Sequence, residues 1–76
     1  MRHFITGFEF SKDDIAFKIE LPITLDDLTP IMKWDDEAYC ANDHLLTPAQ
    51  IHAIEIVSGV NIPKNFDLYL TCERSN

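Results

Sequence analysis

Seventy-six residues suffice for one domain, residues 1–76, and a chain of that size buries only about 60 % of the surface it exposes when unfolded. A composition 46 % hydrophobic and 11 % aromatic excludes an ordinary disordered chain. Thirteen acids against six bases give a net charge of −7, which disfavours direct contact with nucleic acid or an anionic membrane and favours a basic protein partner. No run approaches the roughly 18 apolar residues of a membrane helix. The opening MRHFITGFEF lacks the apolar core of a signal peptide. The expected setting is cytoplasmic with reduced thiols, because Cys40 and Cys72 show no disulfide-framework spacing. A structural disulfide between them is the alternative.

His3 to Phe10 reads as a strand, with Phe4, Thr6, Phe8 and Phe10 on one face by period-two alternation. Gly7 falls on the other face and marks a bulge or a close backbone approach. Ser11-Lys12-Asp13-Asp14 is a polar turn, and Ile15 to Leu21 alternates again, completing a β-hairpin. Pro22 ends that strand. Thr24 then caps a helix whose first turn carries Asp26 and Asp27, where the helix dipole favours acids. Leu25, Leu28, Ile31 and Met32 have helical spacing. Pro30 leaves two readings: a short irregular helix, or a second turn re-capped by Thr29.

Asp35 to Leu46 is irregular, with Ala38-Tyr39-Cys40 as a candidate short strand. Thr47-Pro48-Ala49-Gln50 is a capping box with proline at the first helical position. It predicts a helix over Pro48 to Ser58, buried through Ile51, Ile54, Val57, Ala53 and Ile56 and stopped by Gly59. Asn61 to Asn65 is a loop. Phe66 to Cys72 alternates, with Phe66, Leu68, Leu70 and Cys72 inward and Asp67, Tyr69 and Thr71 outward. The whole predicts an α+β fold: an antiparallel sheet of three to four strands, hairpin plus C-terminal strand, with one long and one short helix on one face.

The acids are clustered. Asp26, Asp27, Asp35, Asp36, Glu37 and Asp43 face one base, Lys33, giving −5 in 18 residues. Trp34 and Tyr39 lie in the same stretch, and large aromatics are frequent interface anchors. These eight, the six acids with Trp34 and Tyr39, form the expected partner-binding set. The bland alternative makes Trp34 core and the acids a solvated surface. The outward Asp67, Tyr69 and Thr71 mark a second candidate contact face. No calcium loop, zinc spacing, nucleophile elbow or phosphate-binding loop occurs, so no cofactor or metal is expected and the chain does not read as an enzyme.

The hairpin Phe8-Glu9-Phe10-Ser11-Lys12-Asp13-Asp14, the segment Leu25-Asp26-Asp27-Leu28, the stretch Asp35 to Cys40 and the closing Phe66-Asp67-Leu68-Tyr69-Leu70 resemble, in size, charge and order, the small bacterial immunity proteins. Those proteins neutralise colicin-like or contact-dependent growth-inhibition toxins. The resemblance implies a cognate toxin as partner, expected to be a basic nuclease domain occluded by carboxylates. The alternative is a phage-type acidic inhibitor of a host nucleic-acid enzyme.

Overall fold

The computed structural model describes residues 2–34 and 43–73. Its elements run β1 (Arg2–Phe8), β2 (Ile15–Leu21), α1 (Leu25–Met32), β3 (His44–Leu45), α2 (Pro48–Ser58) and β4 (Asp67–Glu73). The strands form one antiparallel sheet in the order β2-β1-β4-β3. The C-terminal strand thus lies beside the N-terminal one, and the fold is the α+β arrangement expected. The hairpin turns earlier than alternation suggests. The Lys12 amide donates to the Glu9 carbonyl at 3.0 Å, with Ser11 in the left-handed region at φ 65°, so Glu9 and Phe10 belong to the turn. The candidate strand at Ala38-Tyr39-Cys40 lies outside the described residues.

Both helices begin as their sequences dictate. Thr24 and Asp27 form one reciprocal capping box, and Thr47 and Gln50 form the other. Pro30 sits inside α1, so the re-capped second turn does not form. The Thr29 hydroxyl instead donates back to the Leu25 carbonyl at 2.8 Å. The helix tolerates the proline because it ends two residues later, at Met32, with a left-handed Lys33 as its cap. Only the carbonyl of exposed Asp26 is deprived of a partner.

The core lies between one sheet face and the two helices. Ile5, Leu21, Leu68 and Leu70 meet Leu28 of α1 and Ile51 and Ile54 of α2, with Leu46 and Ile62 closing the ends. On α2, Val57 and Ile56 are exposed, against the sequence expectation. The buried stripe runs through Ile51 and Ile54 with half-buried Ser58 beyond; Ile56 lies on the opposite side of the helix, and Val57 at the edge of the stripe. Glu55 flanks the stripe and fastens the loop after α2: its carboxylate accepts from the Ile62 amide at 2.8 Å and from the Lys64 ammonium at 2.6 Å. These bonds hold the Glu55 carboxyl below its ordinary range, the Ile62 amide contributing most.

Cys72 corrects another expectation: it is disulfide-bonded rather than a free thiol. The other cysteine of the chain, Cys40, is outside the described residues. On the helix-covered side of the sheet, Cys72 pairs with His3, whose Nδ1 lies 3.3 Å from its sulfur. Burial pushes the His3 imidazole below its ordinary pKa.

Candidate functional site

The face of β1 richer in aromatic residues is turned away from the helices. His3, Ile5 and Gly7 point to the core, while Phe4, Thr6 and Phe8 stand on the open side with Lys18 and Glu20 of β2 and Asp67, Tyr69 and Thr71 of β4. Strand pairing brings these residues into rows. Lys18, Thr6, Tyr69 and Leu45 cross the sheet in one, and Ile15, Phe8 and Asp67 in the next. Ile15 reaches this side because the register slips between Gly7 and Phe8. Phe17 pairs with Gly7 and Ile15 with Phe8, so Ala16 is the extra residue of a bulge. The extra residue lies on β2, opposite the Gly7–Phe8 step, while Gly7 itself is the site of a close approach by the Phe17 ring; the bulge turns Ile15 onto the open face.

The open face has two halves. At one end it is closed by charge. The Arg2 guanidinium lies 5.1 Å from the Phe4 ring centroid and the Lys18 ammonium 4.4 Å from it. Arg2 forks onto Glu20 through Nε (3.0 Å) and Nη2 (2.7 Å), and Lys18 pairs with Glu73. This roof leaves Phe4 only 6 % exposed. The hydrogen bonds from Arg2 hold the Glu20 carboxyl below its ordinary range. Under the roof's edge, the Thr6 and Thr71 hydroxyls meet at 3.2 Å.

The other half is a groove of about 450 Å³. Phe8 and Tyr69 meet edge to face, with ring centroids 5.5 Å apart, and line it together with Ile15. Asp13, Asp43 and Asp67 stand around it, beside Lys12 and Lys18. Ile15 is 60 % exposed, and Leu45, next to Tyr69 across the strands, is 61 % exposed.

The ion pairs sort the acids by type. Among the described residues, Arg2, Lys12, Lys18 and Lys64 pair with Glu20, Glu9, Glu73 and Glu55. The aspartates Asp13, Asp14, Asp26, Asp27, Asp43 and Asp67 take part in none of these pairs. The shorter side chains therefore carry the uncompensated charge.

The described members of the expected partner-binding set, Asp26, Asp27, Trp34 and Asp43, are spread over the fold. Asp26 and Asp27 are exposed in the first turn of α1, in the helical layer, and Asp27 is occupied in its capping box with Thr24. Trp34 is half-buried against the core, its ring 5.1 Å from that of His44, and its amide donates to the Thr29 carbonyl. Asp35, Asp36, Glu37 and Tyr39 lie outside the described residues. Among the described members of the set, Asp43 borders the groove and Asp26, Asp27 and Trp34 do not. Of the second candidate face, Asp67, Tyr69 and Thr71 all line the groove, joined by Phe8, which alternation places on one face with Thr6, and by Ile15, which the bulge brings there. Among the described residues, no group of three or more His, Cys, Asp or Glu is placed to hold a metal, and no helix is long and apolar enough to cross a membrane. No protein-family model matches the chain, and no curated protein or solved structure matches it either.

Proposed function

We propose that this chain is a protein-binding inhibitor of the immunity type, which neutralises a basic bacterial toxin domain, in the first instance a nuclease, by covering it with carboxylates. The observation that carries the reading is the sorting of charge. Arg2, Lys12, Lys18 and Lys64 are paired with glutamates, while Asp13, Asp14, Asp26 and Asp43 are exposed and take part in none of these pairs. A net charge of −7 would speed encounter with a basic partner and repel nucleic acid. The reading needs no catalytic group, cofactor or metal.

The reading includes a cytoplasmic site of action. A disulfide at Cys72 bears on that compartment, because glutathione keeps most cytosolic thiols reduced. Protein trapped with a thiol-blocking reagent in the cell would report the bond's state there directly.

The test is a binding titration against the toxin domain encoded next to this chain's gene, at low and high salt. Tight binding that weakens with salt supports the reading. Absence of binding at both salts overturns it for that neighbour and moves the choice to the phage-type inhibitor, assayed on a host nucleic-acid enzyme.

A further inference from the structure

We propose that the groove on the open face of the sheet seats a basic side chain of the partner protein, an arginine or lysine, laid against the Phe8–Tyr69 pair. The inference rests on the protein-binding reading above and names the partner chemistry that one surface would take. The two halves of the face use the same kinds of group. At the Phe4 end, an aromatic ring and two glutamates are completed by cations of the chain itself, with Lys18 4.4 Å and Arg2 5.1 Å from the ring centroid. At the groove end, two aromatic rings 5.5 Å apart are ringed by Asp13, Asp43 and Asp67.

The cations of that rim are already engaged: Lys12 with Glu9, and Lys18 with Glu73. Among the described residues, Asp13, Asp43 and Asp67 are in no ion pair, and the two lysines that line the groove are held by glutamates, so the rings and aspartates have no cation of their own. A guanidinium suits the vacancy best, because it stacks on aromatic faces and forks onto carboxylates with little loss of hydration. Ile15, exposed beside Phe8, offers an apolar neighbour for the side chain's stem. The volume, about 450 Å³, lies in the range of pockets that seat a ligand group rather than a flat rim contact. A phosphate or an acidic peptide is rejected by the same three aspartates.

The experiment is an amide NMR titration of the intact chain with acetyl-Gly-Arg-Phe-Arg-Gly-amide, and with the same peptide carrying Glu for Arg. The expected result is saturable shifts at Phe8, Ile15, Asp67 and Tyr69 with the arginine peptide and none with the glutamate peptide. The double variant Asp43→Asn/Asp67→Asn should weaken binding by about tenfold or more, and Asp26→Asn should leave it unchanged. Ile15→Lys supplies the groove with a cation of its own and should block the peptide. Its side chain is already exposed, so the fold is preserved. Shifts spread evenly over Asp26, Asp27 and the groove would overturn the assignment, as would an unaltered affinity in Ile15→Lys. If the toxin domain binds while the peptide leaves the groove unmoved, the groove assignment falls and the inhibitor reading stands. If neither binds, both fall.

Discussion

The ring of Phe17 fills the place where a side chain at Gly7 would stand. A Cβ built on Gly7 would lie 2.2 Å from Phe17 Cε1, far inside contact distance. The two residues are directly paired across β1 and β2, and Phe17 also meets Phe66 edge to face at 5.0 Å. Glycine is therefore required here for space. Gly7→Ala should destabilise the fold by about 1–3 kcal/mol through displacement of the ring. In the background Phe17→Ala the same substitution should cost little, giving a coupling energy on the order of 1 kcal/mol by chemical denaturation. Equal costs in both backgrounds would show that the ring is not what excludes the methyl group.

Stability should fall in two steps on acidification. His3 is held below its ordinary value of 6.5 by burial, so the unfolded chain takes up a proton more readily than the folded one. Its contribution is complete above about pH 6.5 and is lost as pH falls through that value towards the folded-state pKa. Glu20 and Glu55 lie below their ordinary value of 4.5, Glu20 through Arg2 and Glu55 first through the Ile62 amide. Their contributions are present above that value and disappear only below it. Denaturation at a series of pH values should show the upper step vanish in His3→Leu and the lower one persist.

Phe4 is an open-face residue that behaves energetically as core. Its burial comes from the stems and charges of Arg2 and Lys18 rather than from the helices. Phe4→Ala should therefore cost about 3 kcal/mol or more, as a buried aromatic does. Phe8→Ala, on the same face but only half-buried, should cost distinctly less by the same urea titration.

Local patterns carried much of this fold. The Thr47 capping box is legible because its partner Gln50 lies three residues on, Thr24 is legible as a cap though not its box with Asp27, and β4 is legible because Leu68 and Leu70 alternate with polar neighbours. β1 is harder to read. Counting apolar side chains on its two faces favours Phe4 and Phe8 as the inner set, yet His3, Ile5 and Gly7 face the helices. What decides the matter is non-local: Phe17 needs the space at Gly7, and cations from two strands cover Phe4. The site follows the same division. Asp67 and Tyr69 are visible as outward positions of a strand. Their juxtaposition with Phe8 and Ile15 depends on strand order and on the bulge at Ala16. Clustering along the chain grouped Asp26 and Asp27 with Asp43, although the first two belong to the helical layer and the third to the groove.

The Cys72 disulfide anchors the strand next to β1 at its core side. Reduction, or Cys72→Ser, should lower stability by about 2–4 kcal/mol. It should also change the hydrogen bond at His3. A disulfide sulfur can only accept, which requires Nδ1 of His3 to carry the proton, whereas a thiol can donate to that nitrogen. The imidazole nitrogen chemical shifts should therefore differ between oxidised and reduced protein. Identical shifts would mean that the contact does not fix the tautomer.

Asp26 and Asp27 are neighbours with different work, and separating them keeps any interface mapping clean. The Asp27 carboxylate accepts from the Thr24 amide at 3.0 Å and from its hydroxyl, while the Asp27 amide donates to that hydroxyl. Loss of such a cap typically costs about 1 kcal/mol, so Thr24→Ala should lower stability by that amount. Asp27→Ala should lower it as well, because it removes the other half of the box. Asp26 takes part in no such bond among the described residues, and Asp26→Asn should stay within about 0.5 kcal/mol of the parent. A binding defect in Asp27→Ala alone would then report a frayed α1 rather than a lost contact. A defect in Asp26→Asn, at unchanged stability, would place the partner on the helical layer and away from the groove. Thermal melts run beside each binding titration distinguish the two outcomes.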